Sequence, residues 1–221
     1  MTDSVLLEID NLHYSINQRP ILSGFELTIA AQNHHLLTGP SGSGKTTLIN
    51  LICGLLVPEK GVIEIAGHDL AGLSESGRDK IRRENIGIVF QTLRLVSALD
   101  LSANLVLAQR LSRGQRDEAL ILSLLERLGI AHCAKAKPHQ MSQGEAQRAA
   151  IARALVSRPR LLIADEPTSA LDEANARQVA DLLLECAGDY GVTLLIATHD
   201  ERLNPLFPNR IALSAHMSKA A

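Results

Sequence analysis

Short hydrophobic runs dominate the first part of the chain and are typical of β-strands. Residues 5–9 form one such run, and residues 21–29 form another in which apolar and polar positions alternate. Pro20 lies in the connection between them, so the two predicted strands are expected to form an antiparallel hairpin. Similar runs predict strands at residues 34–38, 62–65 and 86–90.

Apolar residues at helical spacing fill most of the remaining chain. The segments with this spacing are residues 45–56, 74–84, 101–111, 116–128, 142–156 and 173–187. Ser142 and Glu145 have the spacing of a capping box at the start of one of these helices. Further strands are predicted at residues 161–164, 192–198 and 210–213. Strands that alternate with helices after residue 34 predict an α/β fold with a parallel sheet.

The amino-acid composition argues against several classes of function. A chain of 221 residues with a net charge of −2 is long enough for one good core and gives no electrostatic reason to expect a nucleic acid partner. Cys53, Cys133 and Cys186 lie far apart and form no C-x-x-C pair, so neither a zinc site nor a redox pair is predicted. His68, His132 and His139 have no ligand partners at useful spacing and are expected to be ordinary polar residues. Buried free thiols in a reducing compartment are the simplest expectation.

Targeting features are not apparent in the sequence. The first residues have neither the basic segment nor the apolar segment of a signal peptide. No uninterrupted apolar run reaches the roughly 18 residues needed to span a bilayer. The predicted location is therefore the cytoplasm.

One stretch between a predicted strand and a predicted helix fits the phosphate-binding pattern G-x-x-x-x-G-K-[ST]. Its residues are Gly39, Pro40, Ser41, Gly42, Ser43, Gly44, Lys45, Thr46 and Thr47. The glycines allow successive backbone N–H groups to point at phosphate oxygens, and the following helix directs its positive end the same way. Lys45 adds a full positive charge, and the Thr46 hydroxyl is a suitable oxygen ligand for Mg²⁺.

Two carboxylates follow the apolar strand at residues 161–164. Because ligands of open α/β sheets bind at the carboxyl ends of the strands, Asp165 and Glu166 are expected to lie at the ligand site. Asp165 is predicted to hold Mg²⁺, and Glu166 to take a proton from a water molecule that attacks the γ-phosphate. An Asp-Glu pair alone is a weak signal, but its combination with the phosphate loop is a strong one.

Residues 141–148, with the sequence MSQGEAQR, resemble the signature motif of ABC-transporter ATPases, and the resemblance covers about residues 5–213. Four other motifs of that family occur in the expected order. They are the adenine-stacking aromatic at Tyr14, the lid glutamine at Gln91, the D-loop at residues 169–172 and the switch histidine region at residues 198–200.

The resemblance implies a single ABC ATPase domain over residues 1–221, with a RecA-like parallel sheet core, an antiparallel β subdomain and a helical subdomain that carries the signature. Residues 1–90 and 158–221 would form the core and β subdomain, and residues 91–157 approximately the helical subdomain. The implied activity is Mg²⁺-dependent ATP hydrolysis by a head-to-tail homodimer that encloses two nucleotides.

The resemblance also implies roles for single residues. Thr46, Gln91 and Asp165 would hold Mg²⁺. Glu166 would be the general base and His199 the γ-phosphate sensor. Ser142 and Gly144 would touch the γ-phosphate bound to the opposite subunit, and Asp172 would lie at the subunit interface. Gln143 stands where the family usually has glycine, so its side chain is expected to point away from the phosphate.

The implied partner is a separate integral membrane permease, which would attach the protein to the cytoplasmic face of the inner membrane. Features such as the segment at residues 86–91 resemble the lipoprotein-release and macrolide-export branch of the family. Five apolar residues after the lid glutamine are candidates for a groove that contacts the permease, although most are expected to pack inside the helical lobe. These residues are Leu93, Leu95, Val96, Leu99 and Leu101.

Two other functions fit the sequence less well than the transporter does. A soluble ABC ATPase in DNA maintenance or on the ribosome typically carries a long coiled coil, zinc modules or tandem ATPase domains, and the sequence contains none of these. A GTPase or small-molecule kinase is disfavoured because the N-K-x-D base-reading motif is absent.

Overall fold

The computed structural model describes residues 4–169 and 171–214. Within these residues the strands are β1 Val5–Ile16, β2 Arg19–Ala30, β3 His35–Thr38, β4 Lys60–Ile65, β5 His68–Asp69, β6 Ile86–Val89, β7 Leu161–Asp165, β8 Thr193–Thr198 and β9 Asn209–Ala212. The α-helices are α1 Lys45–Ile52, α2 Glu75–Asn85, α3 Leu101–Arg113, α4 Glu118–Arg127, α5 Gln143–Leu155 and α6 Glu173–Tyr190. Short 3₁₀ helices lie at Ala131–Cys133, Pro138–Gln140 and Glu201–Leu206.

The first two strands form the predicted antiparallel hairpin. Its turn residues Asn17 and Gln18 have φ values of 50° and 65°, the left-handed conformation that a two-residue hairpin turn requires. Strand β4 pairs with β1 in an antiparallel direction, which gives a four-stranded sheet in the order β2-β1-β4-β5. This is the antiparallel sheet expected of the β subdomain, and β4 and β5 belong to it although they follow residue 34.

The other five strands form the predicted parallel sheet, in the order β6-β7-β8-β3-β9. Strand β8 lies between β3 and β7, with Thr38 beside Thr198 and Asp165 beside Ala197. The carboxyl ends of these three strands consequently meet at one edge of the sheet. The phosphate-binding stretch follows β3, the Asp-Glu pair ends β7, and the histidine region follows β8, so all three reach that edge.

The parallel sheet separates two hydrophobic cores because successive side chains of a strand point to opposite faces. Leu36, Leu162 and Ile196 pack with helices α3 to α6 on one face. Leu37, Ile163 and Leu195 pack with the antiparallel sheet and α1 on the other. The near-absence of polar residues in β7 and β8 follows from burial on both faces.

Helix boundaries agree with the sequence pattern at most ends. Ser142 forms the predicted capping box with Glu145 at the start of α5. Helix α1 ends at Ile52, earlier than the pattern predicts, and Gly54 then takes a φ of 63° in the turn that follows. No helix among the described residues has both the length and the apolar character that a membrane crossing needs.

The apolar residues after Gln91 differ in exposure. Leu101 is fully buried in the helical core, as expected for most of these residues, so it is not available to line a groove. Leu93 and Leu95 are partly buried against the same core. Val96 is 42% exposed, and the buried side chain of Asn104 fixes its backbone through bonds to the Val96 N–H and C=O at 2.8 and 3.2 Å. Val96 is thus the best-placed of these side chains for contact with a partner.

We expect Gly87→Ala to lower the free energy of unfolding by about 1–3 kcal/mol. A Cβ atom at this position in β6 would lie 2.5 Å from the Ala154 carbonyl oxygen and 2.9 Å from Pro159 Cγ. Urea unfolding of both proteins measures the change. Gly188→Ala is the matched control in α6, where a Cβ meets nothing within 4 Å and helix propensity favours alanine by up to about 1 kcal/mol. Equal stability of Gly87→Ala and the wild type would contradict the close contact.

Candidate active site

The loop between β3 and α1 has a backbone that depends on glycine. Gly39 has a φ of 153°, and a Cβ atom there would lie 2.4 Å from the Leu213 carbonyl oxygen. Gly44 has a φ of 100°, and its Cβ would lie 2.8 Å from Cγ2 of Ile21. The loop is therefore packed closely between the residue that follows β9 and the hairpin, which leaves its other side available for an anion.

Lys45 is buried beneath this loop. Its Nζ donates hydrogen bonds to the carbonyl oxygens of Gly39 at 2.7 Å and Pro40 at 3.3 Å. The same nitrogen lies 3.5 Å from Oε1 of Glu166. A buried ammonium group held by carbonyl oxygens and one carboxylate places positive charge at the centre of the loop, where a phosphate group would need it.

A cavity of about 430 Å³ opens at the carboxyl edge of the parallel sheet. It brings together side chains from the hairpin, the phosphate loop and the ends of three strands. Its lining residues are Ile16, Ile21, Ser41, Gly42, Gly44, Lys45, Thr46, Thr47, Gln91, Glu166 and His199. Most of the residues that the sequence assigns to nucleotide binding and catalysis therefore surround one space.

Glu166 has contacts on both carboxylate oxygens. Thr198 Oγ1 donates to Oε2 at 3.0 Å, and Nδ1 of His199 lies 3.0 Å from Oε1. Burial alone would raise the pKa of Glu166, but the hydrogen bonds from His199 and Thr198 and the nearby charges outweigh it and lower the pKa below its usual value. Glu166 is therefore a carboxylate near neutral pH, as acceptance of a proton requires.

Asp165 lies deeper at the same strand end and has the opposite electrostatic environment. Burial, followed by the charge of Glu166, raises the pKa of Asp165 above its usual value. Thr46 Oγ1 donates to its Oδ2 at 3.5 Å, whereas Oδ1 is buried without a hydrogen-bond partner among the described residues. A carboxylate oxygen without a partner, beside a hydroxyl group and a second carboxylate, fits a hard divalent cation such as Mg²⁺.

Gln91 reaches the site through a short chain of hydrogen bonds. Its Nε2 donates to Ser169 Oγ at 3.3 Å, and Ser169 Oγ donates to the Glu166 carbonyl oxygen at 3.1 Å. The segment predicted as the D-loop includes Ala170, which lies outside the described residues. Its described end, Asp172, caps α6 by accepting a hydrogen bond from the Asn175 N–H at 2.9 Å.

A second set of contacts joins the loops after β7 and β8, and the sequence pattern did not assign it a role. The Thr168 hydroxyl donates to Oδ2 of Asp200 at 2.8 Å, and the Arg202 guanidinium donates to both oxygens of that carboxylate at 2.7 Å. Arg202 also donates to the Leu171 carbonyl oxygen at 3.3 Å. These positions adjoin the Asp-Glu pair and the histidine in sequence, which is the signal that could have identified them.

The signature residues are separate from this cavity. Ser142 and Gly144 do not belong to its lining, and Gly144 borders a different cavity of about 190 Å³ between α5 and α6. Tyr14 lies on β1, where it is partly buried against the core of the antiparallel sheet. Ile16 and Ile21 line the phosphate cavity nearby. The roles of Tyr14, Ser142, Gly144 and Asp172 in nucleotide binding stay predictions.

The arrangement of these motifs defines a class of protein. A phosphate loop after one parallel strand and an acidic pair after another, around one cavity, are the parts of a P-loop nucleoside triphosphatase.

The comparison with protein families gives the particular family. The family model described as "ABC transporter" matches residues 22–169, which is more than half of the chain. The chain belongs to the ABC transporter family, as an ATP-binding and ATP-hydrolysing subunit.

Several curated relatives carry one name, "Lipoprotein-releasing system ATP-binding protein LolD". The protein of that name from Ruegeria sp. is 43% identical over 187 residues, which cover 83% of this chain and 82% of the relative. The one from Pseudomonas fluorescens is 37% identical over 209 residues, which cover 92% of each chain. These matches extend well beyond the phosphate loop and the signature.

Solved structures support the same fold. The ATP-binding cassette MJ0796, in a dimeric post-hydrolysis state bound to ADP and Pi, superposes with a TM-score of 0.84 at 31% identity and covers 95% of both chains. CbiO1 from Clostridium perfringens, part of the ABC transporter complex cbiONQ, gives a TM-score of 0.86 at 30% identity over 96% of this chain and 85% of that one. The predicted fold is thereby confirmed.

We expect Asp200→Asn to remove a pH-dependent part of the stability. Hydrogen bonds from Arg202, opposed by burial and assisted by Thr168, lower the pKa of Asp200 from 3.8 to about 2. A carboxylate whose pKa is lower in the folded state stabilises that state above about pH 4, and the contribution is lost as the pH falls towards about 2. Urea unfolding at several pH values should show a difference between wild type and variant that shrinks over this range. A difference that stays constant with pH would contradict the assignment.

Proposed function

We propose that this subunit hydrolyses ATP with Mg²⁺ and uses the reaction to drive a separate membrane permease. The single observation that supports the chemistry best is the cavity at the sheet edge, around which Lys45, Glu166 and His199 converge. Phosphoryl transfer depends mainly on positioning and on neutralisation of charge, and this cavity offers both.

The proposed general base is Glu166. Its pKa is lowered, so Glu166 is ionised near neutral pH and could accept a proton from a water molecule aligned with the γ-phosphate. Thr198 and His199 fix the direction of both carboxylate oxygens. His199 is exposed enough to face a bound γ-phosphate, which fits its proposed role as a sensor.

The residues that would hold Mg²⁺ are Thr46, Gln91 and Asp165. When bound, the ion would neutralise charge that develops on the β- and γ-phosphates. The buried Oδ1 of Asp165, without a partner among the described residues, supports this assignment most directly. Lys45 and the N–H groups of the phosphate loop would hold the phosphates on the other side, and Tyr14 would stack on the adenine.

The proposed active assembly is a head-to-tail homodimer. Ser142 and Gly144 do not line the cavity of their own chain, so they would reach a γ-phosphate only on a second copy. Ser142 begins helix α5, whose N-terminus favours an anion. Asp172, at the start of α6, would lie at the interface. The dimeric state described for MJ0796 supports this arrangement.

The proposed partner is an integral membrane permease that holds the protein at the cytoplasmic face of the inner membrane. The name of the LolD relatives supports lipoprotein release as the transport process. Residues of about 91–157 would form the helical subdomain that meets the permease, with the remainder forming the core and β subdomain. The exposed Val96 and a cavity of about 380 Å³ bordered by Leu99, Val106 and Leu107 lie in that subdomain.

We expect Glu166→Gln to reduce ATP hydrolysis by roughly 10²- to 10⁴-fold while ATP still binds, because the amide cannot accept the proton. Phosphate release and nucleotide affinity measure the two effects separately. Glu126→Gln, on the exposed side of α4, is the control that should keep normal turnover. Lys45→Ala should instead weaken ATP binding itself. Near-normal turnover by Glu166→Gln would refute the assignment of the base.

We expect tagged Glu166→Gln protein to recover a polytopic membrane protein from detergent-solubilised membranes when ATP and Mg²⁺ are present. The slow variant keeps its nucleotide, so the complex should persist, and removal of ATP should release it. Addition of Val96→Asp should reduce the recovery, because a charge would enter the proposed contact. Leu122→Asp is the matched control, since Leu122 is 59% exposed on α4.

Mass spectrometry of the recovered material decides between the candidate functions. Equal recovery with Val96→Asp and Leu122→Asp would place the contact elsewhere on the surface. Recovery of ribosomes or nucleic acid without a membrane protein would support the soluble ABC ATPase instead of the transporter subunit.

A further inference from the structure

Three potential metal ligands meet beside the N-terminus of α5. His132 and Cys133 lie in the 3₁₀ helix Ala131–Cys133, and Glu145 lies in the first turn of α5. One ligand atom from each side chain lies within 4.8 Å of the other two. The described lining of the phosphate cavity includes none of these residues, so the cluster is distinct from the proposed Mg²⁺ site.

The side chains converge on one carboxylate. Nε2 of His132 lies 2.7 Å from Oε1 of Glu145. The Cys133 Sγ atom lies within 4.8 Å of ligand atoms of both His132 and Glu145. One nitrogen, one sulfur and one oxygen atom therefore already lie close together.

Two of the three ligands are held in place by the fold. The second oxygen of Glu145 accepts hydrogen bonds from the Ser142 N–H and hydroxyl, both at 2.8 Å. Cys133 is only 5% exposed, and its backbone N–H donates to the Ile130 carbonyl oxygen at 2.9 Å. An ion that binds here would have to immobilise little besides the His132 side chain, which favours affinity.

The donor set matches the chemistry of zinc. Zn²⁺ takes imidazole, thiolate and carboxylate ligands in tetrahedral sites, and a water molecule can complete a set of three protein ligands. Bonds of about 2.0–2.3 Å place tetrahedral ligand atoms about 3.3–3.8 Å apart. The His132 side chain is 66% exposed, so there is space for its ring to turn from the Glu145 oxygen towards an ion between the three ligands. A sulfur donor disfavours Mg²⁺ and Ca²⁺.

We propose that His132, Cys133 and Glu145 form a binding site for a thiophilic divalent cation of the zinc class. The sequence pattern did not predict it, because the familiar C-x-x-C spacing is absent and Glu145 comes from a different element. The alternative is a hydrogen-bonded group that only stabilises the start of α5. The proposal does not depend on the transport function, since it requires only the local fold around these residues.

Titration of the reduced, nucleotide-free full-length protein with Co²⁺ tests the proposal, because a thiolate ligand gives a charge-transfer absorption band. We expect the band to saturate at about one equivalent and to disappear when Zn²⁺ displaces Co²⁺, as a single site of this donor set requires. Cys133→Ala should abolish the band. Cys186→Ala, which changes another buried thiol, should retain it.

A second pair of variants distinguishes loss of the metal site from loss of the fold. His132→Gln changes an exposed side chain and should weaken Co²⁺ binding by roughly tenfold or more. His139→Gln, at another exposed histidine, should leave the affinity unchanged. The absence of a charge-transfer band in the wild type, or a band that survives Cys133→Ala, would overturn the proposal. Equal Co²⁺ affinity of His132→Gln and His139→Gln would overturn it as well.

Discussion

The carboxylate of Glu166 connects the carboxyl ends of three strands of the parallel sheet into one site. It contacts Thr198 and His199 from the end of β8 and Lys45 from the loop after β3, while its own position ends β7. A largely buried carboxylate stays ionised only if hydrogen bonds and opposite charges compensate for its lost hydration, so Glu166 and its partners depend on one another. The contacts keep Glu166 charged, and Glu166 in turn holds the loops that surround the cavity.

Much of this arrangement could be predicted from the chain because the decisive features are local. The glycine-rich loop must follow a strand and precede a helix, and the Asp-Glu pair must end a buried strand. The capping-box residues Ser142 and Glu145 correctly predict the start of helix α5. The end of α1 and the sheet to which β4 belongs are harder to predict from the sequence, because they depend on packing against the hairpin rather than on local pattern.

The features that escaped prediction join residues distant in sequence. Thr168 and Asp200 are ordinary loop residues until the pairing of β7 with β8 brings them together. His132 and Glu145 belong to different elements, and only the fold places them 2.7 Å apart. For a related reason the sequence could not decide which of the five apolar residues after Gln91 are covered, since an apolar residue on a helix gives no sign of its neighbours. The hydrophobic pattern of the sequence therefore predicts helices and strands better than it predicts the contacts between them.

The hydrogen bond between Thr168 and Asp200 has a mechanical consequence. It couples the loop that carries His199 to the segment that leads towards Asp172, and Arg202 reinforces the link through the Leu171 carbonyl oxygen. A shift of the histidine loop on loss of the terminal phosphate would therefore pull directly on the surface proposed to face the second subunit. In the proposed dimer the two turns would move together, and a change at one nucleotide pocket would reach the other subunit through them.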